Sequence, residues 1–203
     1  MSVTSEALRP ESFAAAAILV LTPVKSSAAL MGGAIGRWMR RRHSQPLPTL
    51  WLMTDERMGD TLFDAINSLP RGSGIVFRHY SLEKATRREL LSKVTKLARR
   101  NRHVLVIGGS SHGRHPGAVT AQVHTIPERV AAERAGALLL FVSPVFATRS
   151  HPGGRPLGRS RFGLMVRGAR CPVIALGGMT RRRARSLKIL GIYGWAAIDG
   201  LTP

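Results

Sequence analysis

Residues 138–158 read LLLFVSPVFATRSHPGGRPLG, and this stretch decides the fold. Its first part, 138–142, is an uninterrupted apolar run, which is typical of a strand buried on both faces in a parallel sheet. Ser143-Pro144 ends the run, and a polar loop with threonine, serine, arginine, histidine and glycine follows. Ligands bind at the carboxyl ends of strands in parallel α/β folds. We therefore expect a binding loop directly after this strand.

The same pattern recurs further along the chain. Residues 172–176, PVIAL, form a second apolar run, which leads into Gly177-Gly178-Met179-Thr180 and then a helical pattern. Glycines at a strand-to-helix turn let a ligand approach the backbone, and the following helix N-terminus favours an anion. The two strands together predict an anion-binding edge of a parallel sheet.

Strand and helix patterns alternate over residues 49–203, which we assign to one α/β barrel domain, whereas 1–48 reads as a mobile N-terminal arm. The regular spacing favours a short TIM-type (β/α)8 barrel over an open sheet. Residues 108–118 are too few and too rich in glycine for a normal crossover, so we expect one compressed βα element there. Predicted helices include one over 81–100 capped by Ser81 and one capped by Thr125 with Glu128. The predicted strands are 49–53, 74–78, 103–107, 119–124, 138–142, 172–176 and 193–198.

The composition limits the functional classes. The chain has 203 residues, of which 44% are apolar, with a net charge of +20. Arginine is scattered and no aromatic residues interleave it, so we expect solvated helix faces rather than a nucleic-acid partner. The apolar run 13–21 is too short to cross a membrane. Cys171 is the only cysteine, which fits a cytoplasmic protein. The oligomeric state is left open, with a homo-oligomer among the alternatives.

Three segments carry a family resemblance. Residues 143–151, SPVFATRSH, followed by 156–158, PLG, resemble the pattern G-P-(I/V)-(F/Y)-x-T-x-(T/S)-K … L-G. Residues 172–179, PVIALGGM, resemble P-V-(V/I)-A-I-G-G-I. Val123-His124-Thr125 with Glu128, followed by Ala131, resembles x-H-(S/T)-x-x-E. The chain thus resembles thiamine-phosphate synthase and its TenI-like relatives, strongly over 119–201 and more weakly over 49–107.

The resemblance implies a (β/α)8 barrel and a transferase reaction of thiamine biosynthesis. Such synthases join a hydroxymethyl-pyrimidine diphosphate to a thiazole phosphate, with Mg²⁺ assisting the departure of diphosphate. The expected small-molecule partners are therefore the phosphorylated pyrimidine and thiazole. Developing negative charge on the leaving group requires cations and hydrogen-bond donors.

The resemblance also transfers roles to individual residues. It implies that Arg78 contacts the diphosphate and that His151 stands where the family has a diphosphate-binding lysine, so we assign these two a catalytic role. The implied substrate-binding residues are Thr148, Ser150, Gly177, Gly178, Ile198 and Asp199.

The metal site departs from the family pattern. Where the family has Asn-Asp after its third strand, this chain has Gly108-Gly109, and no acidic residue occurs between Glu89 and Glu128. Mg²⁺ is thus implied by the resemblance while its expected acidic ligands are absent, and we assign no metal ligands. His112 and His115 have a metal-like spacing, but no Cys or acid accompanies them.

Three functional hypotheses follow. The first is the transferase. The second is a catalytically degenerate binding or regulatory protein for a phosphorylated thiazole or pyrimidine; the thiazole tautomerase of the TenI type is weakened, because Pro144 stands where its histidine would be. The third, association with nucleic acid, rests on the charge alone, and steep salt dependence of binding would support it.

Overall fold

A computed structural model describes residues 47–113, 118–149 and 153–202. The predicted arm 1–48 lies almost wholly outside these ranges. Within the described residues, the apolar runs from 49 onwards form strands, and the amphipathic segments form helices on the outer side of the sheet. The strands are β1 (Leu50–Met53), β2 (Gly74–Phe77), β3 (Val104–Ile107), β4 (Thr120–Val123), β5 (Leu139–Val142), β6 (Val173–Ala175) and β7 (Gly194–Ala197). The helices are α1 (Thr61–Ser68), α2 (Lys84–Arg100), α3 (Ile126–Arg134), α4 (Gly158–Arg167) and α5 (Arg181–Leu187), with 3₁₀ turns at Glu56–Met58, Lys188–Leu190 and Asp199–Leu201.

The strands described form one curved, wholly parallel sheet. Its order is β3-β2-β1-β7-β6-β5-β4, so the first and last strands of the chain pair at its centre. Trp51 of β1 fits this arrangement because its partner on β2 is Gly74, where a Cβ would lie 2.2 Å from the indole. The TIM-type barrel predicted from the sequence is confirmed.

A single residue occupies the place of the missing strand. His112 forms parallel bridges with Gly108, just after β3, and with Thr120, the first residue of β4. Its backbone N–H donates to Ile107 O at 3.1 Å, and its carbonyl accepts from Gly109 N at 2.9 Å. The predicted compression at 108–118 is therefore also confirmed. The eighth strand is reduced to one residue, with no helix after it in the described part of this segment.

Apolar side chains fill both faces of the sheet, as the unalternating sequence runs predict. One cluster, including Trp51, Phe141 and Ile174, comes from alternate strand positions and fills the inside of the barrel. Two further clusters pack the outer face against helices, one under α1 and α2 and one under α3 to α5. This packing fixes the strand ends from which the site is built.

Two helix starts show how local capping sets the boundaries. Thr125 accepts from Glu128 N at 3.3 Å, as predicted. The predicted cap at Ser81 is wrong: α2 begins at Lys84, and Glu83 caps it by accepting from Ala85 N at 2.8 Å. The reason is that the Ser81 N–H and hydroxyl both donate to the Glu56 carboxylate.

Candidate functional site at the carboxyl ends of the strands

A cavity of about 280 Å³ opens at the carboxyl ends of the strands. All the predicted site residues that fall within the described ranges line it. Ser150 and His151 lie outside those ranges. The lining residues are Arg78, Gln122, His124, Ser143, Pro144, Thr148, Gly154, Arg155, Leu176, Gly177, Gly178, Met179, Ala197, Ile198, Asp199 and Gly200.

The glycine turn after β6 packs directly against the loop after β5. Gly177 and Gly178 have φ values of 93° and 59°, which L side chains rarely adopt. A Cβ on Gly177 would lie 2.7 Å from Pro144 Cα, and one on Gly178 would lie 2.3 Å from Ala147 O. The two glycines therefore let two loops meet closely, and their backbone lies at the cavity wall.

Arg183 holds the same turn from outside. Its guanidinium lies 4.8 Å from the centre of the Phe146 ring and donates to Gly178 O. The guanidinium of Arg183 thus contacts both the Gly177-Gly178 turn and the loop after β5. Because it joins the two, Arg183 stiffens the turn.

Arg78 brings a half-buried positive charge to the cavity from the end of β2. Its backbone N–H donates to Thr54 Oγ1 at 3.0 Å, and Thr54 Oγ1 also lies 3.0 Å from His79 Nδ1. Its Nη2 lies 3.7 Å from Asp55 Oδ2. Burial acts to raise the pKa of Asp55, but hydrogen bonds from Arg57 and the charges of Arg57 and Arg78 leave this pKa below its usual range. Asp55 is thus an ionised partner that orients the guanidinium.

A polar trio lies on the adjacent wall, at the ends of β4 and β5. His124 Nδ1 lies 2.7 Å from Ser143 O, and Gln122 Nε2 donates to Ser143 Oγ at 2.9 Å. A carbonyl oxygen only accepts, so Nδ1 carries the proton and a neutral ring has Nε2 as an acceptor. His124 is therefore a candidate hydrogen-bond acceptor at the cavity wall.

Asp199 lies at the opposite rim, after β7. Arg149 Nε donates to Asp199 Oδ2 at 3.2 Å, and the Arg149 side chain is 80% exposed. This ion pair joins the loop after β5 to the end of β7. Of the two residues, Asp199 lines the cavity, beside Ile198.

The residues present do not fit a Mg²⁺ site. Within 47–113, 118–149 and 153–202, no group of three His, Cys, Asp or Glu side chains could hold a metal ion. His112 is buried, and its Nδ1 lies 2.8 Å from Thr120 Oγ1. This contact within the sheet gives His112 a structural role. His115, the second histidine of the metal-like spacing, lies outside the described residues.

Sequence reasoning missed part of this site. The sequence patterns assigned no role in the cavity to Gln122, His124 or Asp55. His124 directly follows β4, Asp55 lies two residues after β1, and Gln122 is the penultimate residue of β4. A position at or near the carboxyl end of a strand is the signal that could have found them. Cys171 is half-buried and its thiol donates to Ala137 O at 3.0 Å, which agrees with a packed thiol. In the parts of the chain that are described, no helix is long and apolar enough to cross a membrane.

Comparison with known proteins supports the resemblance read from the sequence. The family model for thiamine monophosphate synthase matches residues 114–201. Thiamine-phosphate synthase of Chlorobium luteolum is 36% identical over 85 residues, which are 41% of this chain and 40% of that protein. Thiamine-phosphate synthase of Pyrococcus furiosus is 30% identical over 83 residues, which are 41% of this chain and 40% of that protein. The matched part of the chain thus spans about two-fifths of these relatives.

Solved structures extend the likeness of the fold beyond the matched sequence. Thiamine phosphate pyrophosphorylase from Pyrococcus furiosus superposes with a TM-score of 0.63 at 21% identity, over 75% of this chain and 86% of that one. A structure described as native KDPGal gives a TM-score of 0.54 at 12% identity, over 75% of this chain and 83% of that one. At such identities these likenesses show the fold.

Proposed function

We propose that this protein acts in thiamine biosynthesis and that its cavity binds a phosphorylated thiazole or pyrimidine. The observation that carries the proposal is the convergence of Arg78, Thr148 and the Gly177-Gly178 turn on one cavity at the carboxyl ends of the strands. The similarity to thiamine-phosphate synthases over the second half of the chain supports the same ligand class.

In this proposal each wall of the cavity has a separate task. Arg78, oriented by Asp55, neutralises phosphate charge, and a guanidinium forms strong hydrogen bonds with phosphate oxygens. Thr148 and the backbone of the glycine turn face the phosphate of the thiazole. The trio of Gln122, Ser143 and His124 lies beside the heterocycle and supplies hydrogen-bond partners for its ring atoms.

Two forms of this function are distinct. The transferase form, which joins the pyrimidine to the thiazole phosphate with loss of diphosphate, is favoured by Arg78 and Arg155, which bring positive charge to one cavity. The binding form is favoured by the poor fit to Mg²⁺, because an unassisted diphosphate is a poor leaving group. We propose ligand binding as the property common to both, and the binding form as the better supported.

A direct assay separates the two forms. Purified protein is incubated with the pyrimidine diphosphate, the thiazole phosphate and Mg²⁺, and thiamine phosphate is quantified after oxidation to its fluorescent product. The expected result is saturable binding of thiazole phosphate by calorimetry with no product. Product that disappears in Arg78→Ala establishes the transferase form. Absence of both binding and product refutes the proposed function. The cytoplasmic location and the lack of a nucleic-acid partner stay predictions, and the oligomeric state stays open.

A further inference from the structure

Two carboxylates, Asp199 in the cavity lining and Asp55 beside Arg78, are already paired with guanidinium groups. Asp55 Oδ1 accepts from Arg57 Nε at 2.7 Å, and Asp55 Oδ2 faces Arg78. Asp199 Oδ2 accepts from Arg149 Nε at 3.2 Å. A hard divalent cation requires several oxygen ligands that are free of competing cations. These two carboxylates act instead as partners of arginine.

The segment between β3 and β4 offers no replacement ligands. A Cβ on Gly108 would lie 2.3 Å from Tyr80 Oη, the end of an exposed side chain, and 3.0 Å from Phe77 O, so a side chain at this position requires Tyr80 to move. The strand that would follow is reduced to His112, whose ring is buried edge-on against Phe141 at 5.2 Å. The described residues of this segment, 108–113 and 118–119, therefore contain no carboxylate ligand.

Arginine side chains supply positive charge at the cavity wall. Arg78 and Arg155 both line it, and Asp199 is the acidic residue among the described lining residues. Counted with Asp199, the two arginines give the described lining residues a net charge of +1. A diphosphate therefore leaves more negative charge without a counter-charge at this wall than a phosphate monoester does.

We propose that the cavity binds a phosphate monoester directly on arginine, without a divalent cation. The proposal rests on the proposed function and deepens it by naming the ligand class. Arg78 makes the half-buried contact, since Asp55 faces its guanidinium and Thr54 Oγ1 anchors its backbone N–H, and Arg155 adds charge from the exposed rim. Diphosphate esters bind more weakly than monoesters, and Mg²⁺ does not reverse this order.

Calorimetric titrations of the full chain with inorganic phosphate and with pyrophosphate test this proposal. Each titration is run in EDTA and again in excess Mg²⁺. We expect the Kd for phosphate to change by less than about twofold between the two conditions, since no ligand set holds the cation. Arg78→Gln is expected to weaken phosphate binding by about tenfold or more. Arg155→Gln, an exposed position whose loss does not threaten folding, is expected to weaken it by a smaller factor.

Arg167→Gln is the matched control, because Arg167 is an exposed arginine in the last turn of α4. Binding unchanged in this variant shows that local rather than net charge matters. Mg²⁺-dependent tightening of phosphate, or pyrophosphate that binds more tightly than phosphate in Mg²⁺, would overturn the inference. Phosphate binding that is independent of Mg²⁺ while thiazole phosphate fails to compete for the site would refute only the proposed function.

Discussion

His112 Nδ1 lies 2.8 Å from Thr120 Oγ1, and this contact joins the residue that replaces a whole strand to the first residue of β4. The same imidazole lies edge-on to Phe141 inside the barrel. The backbone of His112 thus links the two edge strands, and its side chain packs inside the barrel against Thr120 and Phe141. This buried position gives His112 a measurable influence on stability.

Stability should fall in mild acid because of His112. Burial, helped by the charge of Arg78, lowers the pKa of His112 to about 4, whereas an unfolded histidine has a pKa near 6.5. The unfolded chain therefore binds the proton more readily, so the His112 contribution is complete above about pH 6.5 and is lost as the pH falls towards 4. Between pH 7 and 5 the free energy of unfolding should fall by about 2 kcal/mol from this residue.

Urea denaturation of wild type and His112→Asn at both pH values measures this effect. Burial also lowers the pKa of His79 and of His103, so both residues add pH dependence of the same sign to both proteins. The difference between wild type and variant therefore isolates His112. An equal pH dependence in the two proteins would contradict the prediction.

The sequence predicted the compressed element but not the residue that fills it. Residues 108–118 were too short for a crossover, and that is visible without a structure. The role of His112 was not visible, because a strand of one residue has no periodicity. The start of α2 was misjudged for a related reason: the partner of Ser81 is Glu56, which is remote in sequence. The apolar strand runs, by contrast, were predictable because burial on both faces leaves a continuous pattern.

In the candidate site, too, features that follow a local sequence pattern could be predicted, whereas contacts between residues remote in sequence could not. Thr148 and the glycine turn follow apolar runs directly, so their placement at strand ends could be predicted. The Gln122–Ser143 hydrogen bond joins two strands, and local patterns contain no trace of it. Ser150 and His151 lie outside the described residues, and their assigned roles stay predictions.

Gly178→Ala should disrupt both the turn and ligand binding. The new Cβ would meet Ala147 O at 2.3 Å and would hold an alanine at φ 59°. We expect a loss of about 2–4 kcal/mol in the free energy of unfolding, from backbone strain and overpacking together. Thermal and urea denaturation measure the loss, and phosphate titration measures binding.

Gly136→Ala is the matched control for that variant. Gly136 has φ 91° but open space around its Cβ direction, and it lies at the end of α3, away from the cavity. Its cost should be limited to backbone strain, about 1 kcal/mol, with binding intact. Equal costs at the two glycines would show that the contact with Ala147 does not matter.

Two replacements of His124 should separate its contribution to the stability of the fold from its contribution to ligand binding. His124→Asn keeps a donor near the position of Nδ1 for Ser143 O, whereas His124→Ala removes it. We expect the alanine variant to lose about 1 kcal/mol of stability and the asparagine variant to lose less. Both variants lack Nε2, so both should weaken thiazole phosphate binding by about fivefold. Wild-type affinity in the asparagine variant would remove His124 from the binding site.

Asp199→Asn should strengthen anion binding. Asp199 is an acidic residue in the cavity wall, and its ion pair with the mostly exposed Arg149 contributes little to stability. The change removes a negative charge and releases a guanidinium near the ligand, so we expect phosphate to bind about twofold to tenfold more tightly at low salt. The gain should shrink as ionic strength rises, because salt screens charges at an exposed rim.

Calorimetry at two ionic strengths checks the prediction, with Asp64→Asn as the control. Asp64 is an exposed acid on α1, so this variant changes net charge by the same amount without changing the cavity. Tightening in Asp199→Asn alone identifies a local electrostatic effect. Equal tightening in both variants would mean that the overall positive charge of the chain, rather than the cavity, attracts the anion.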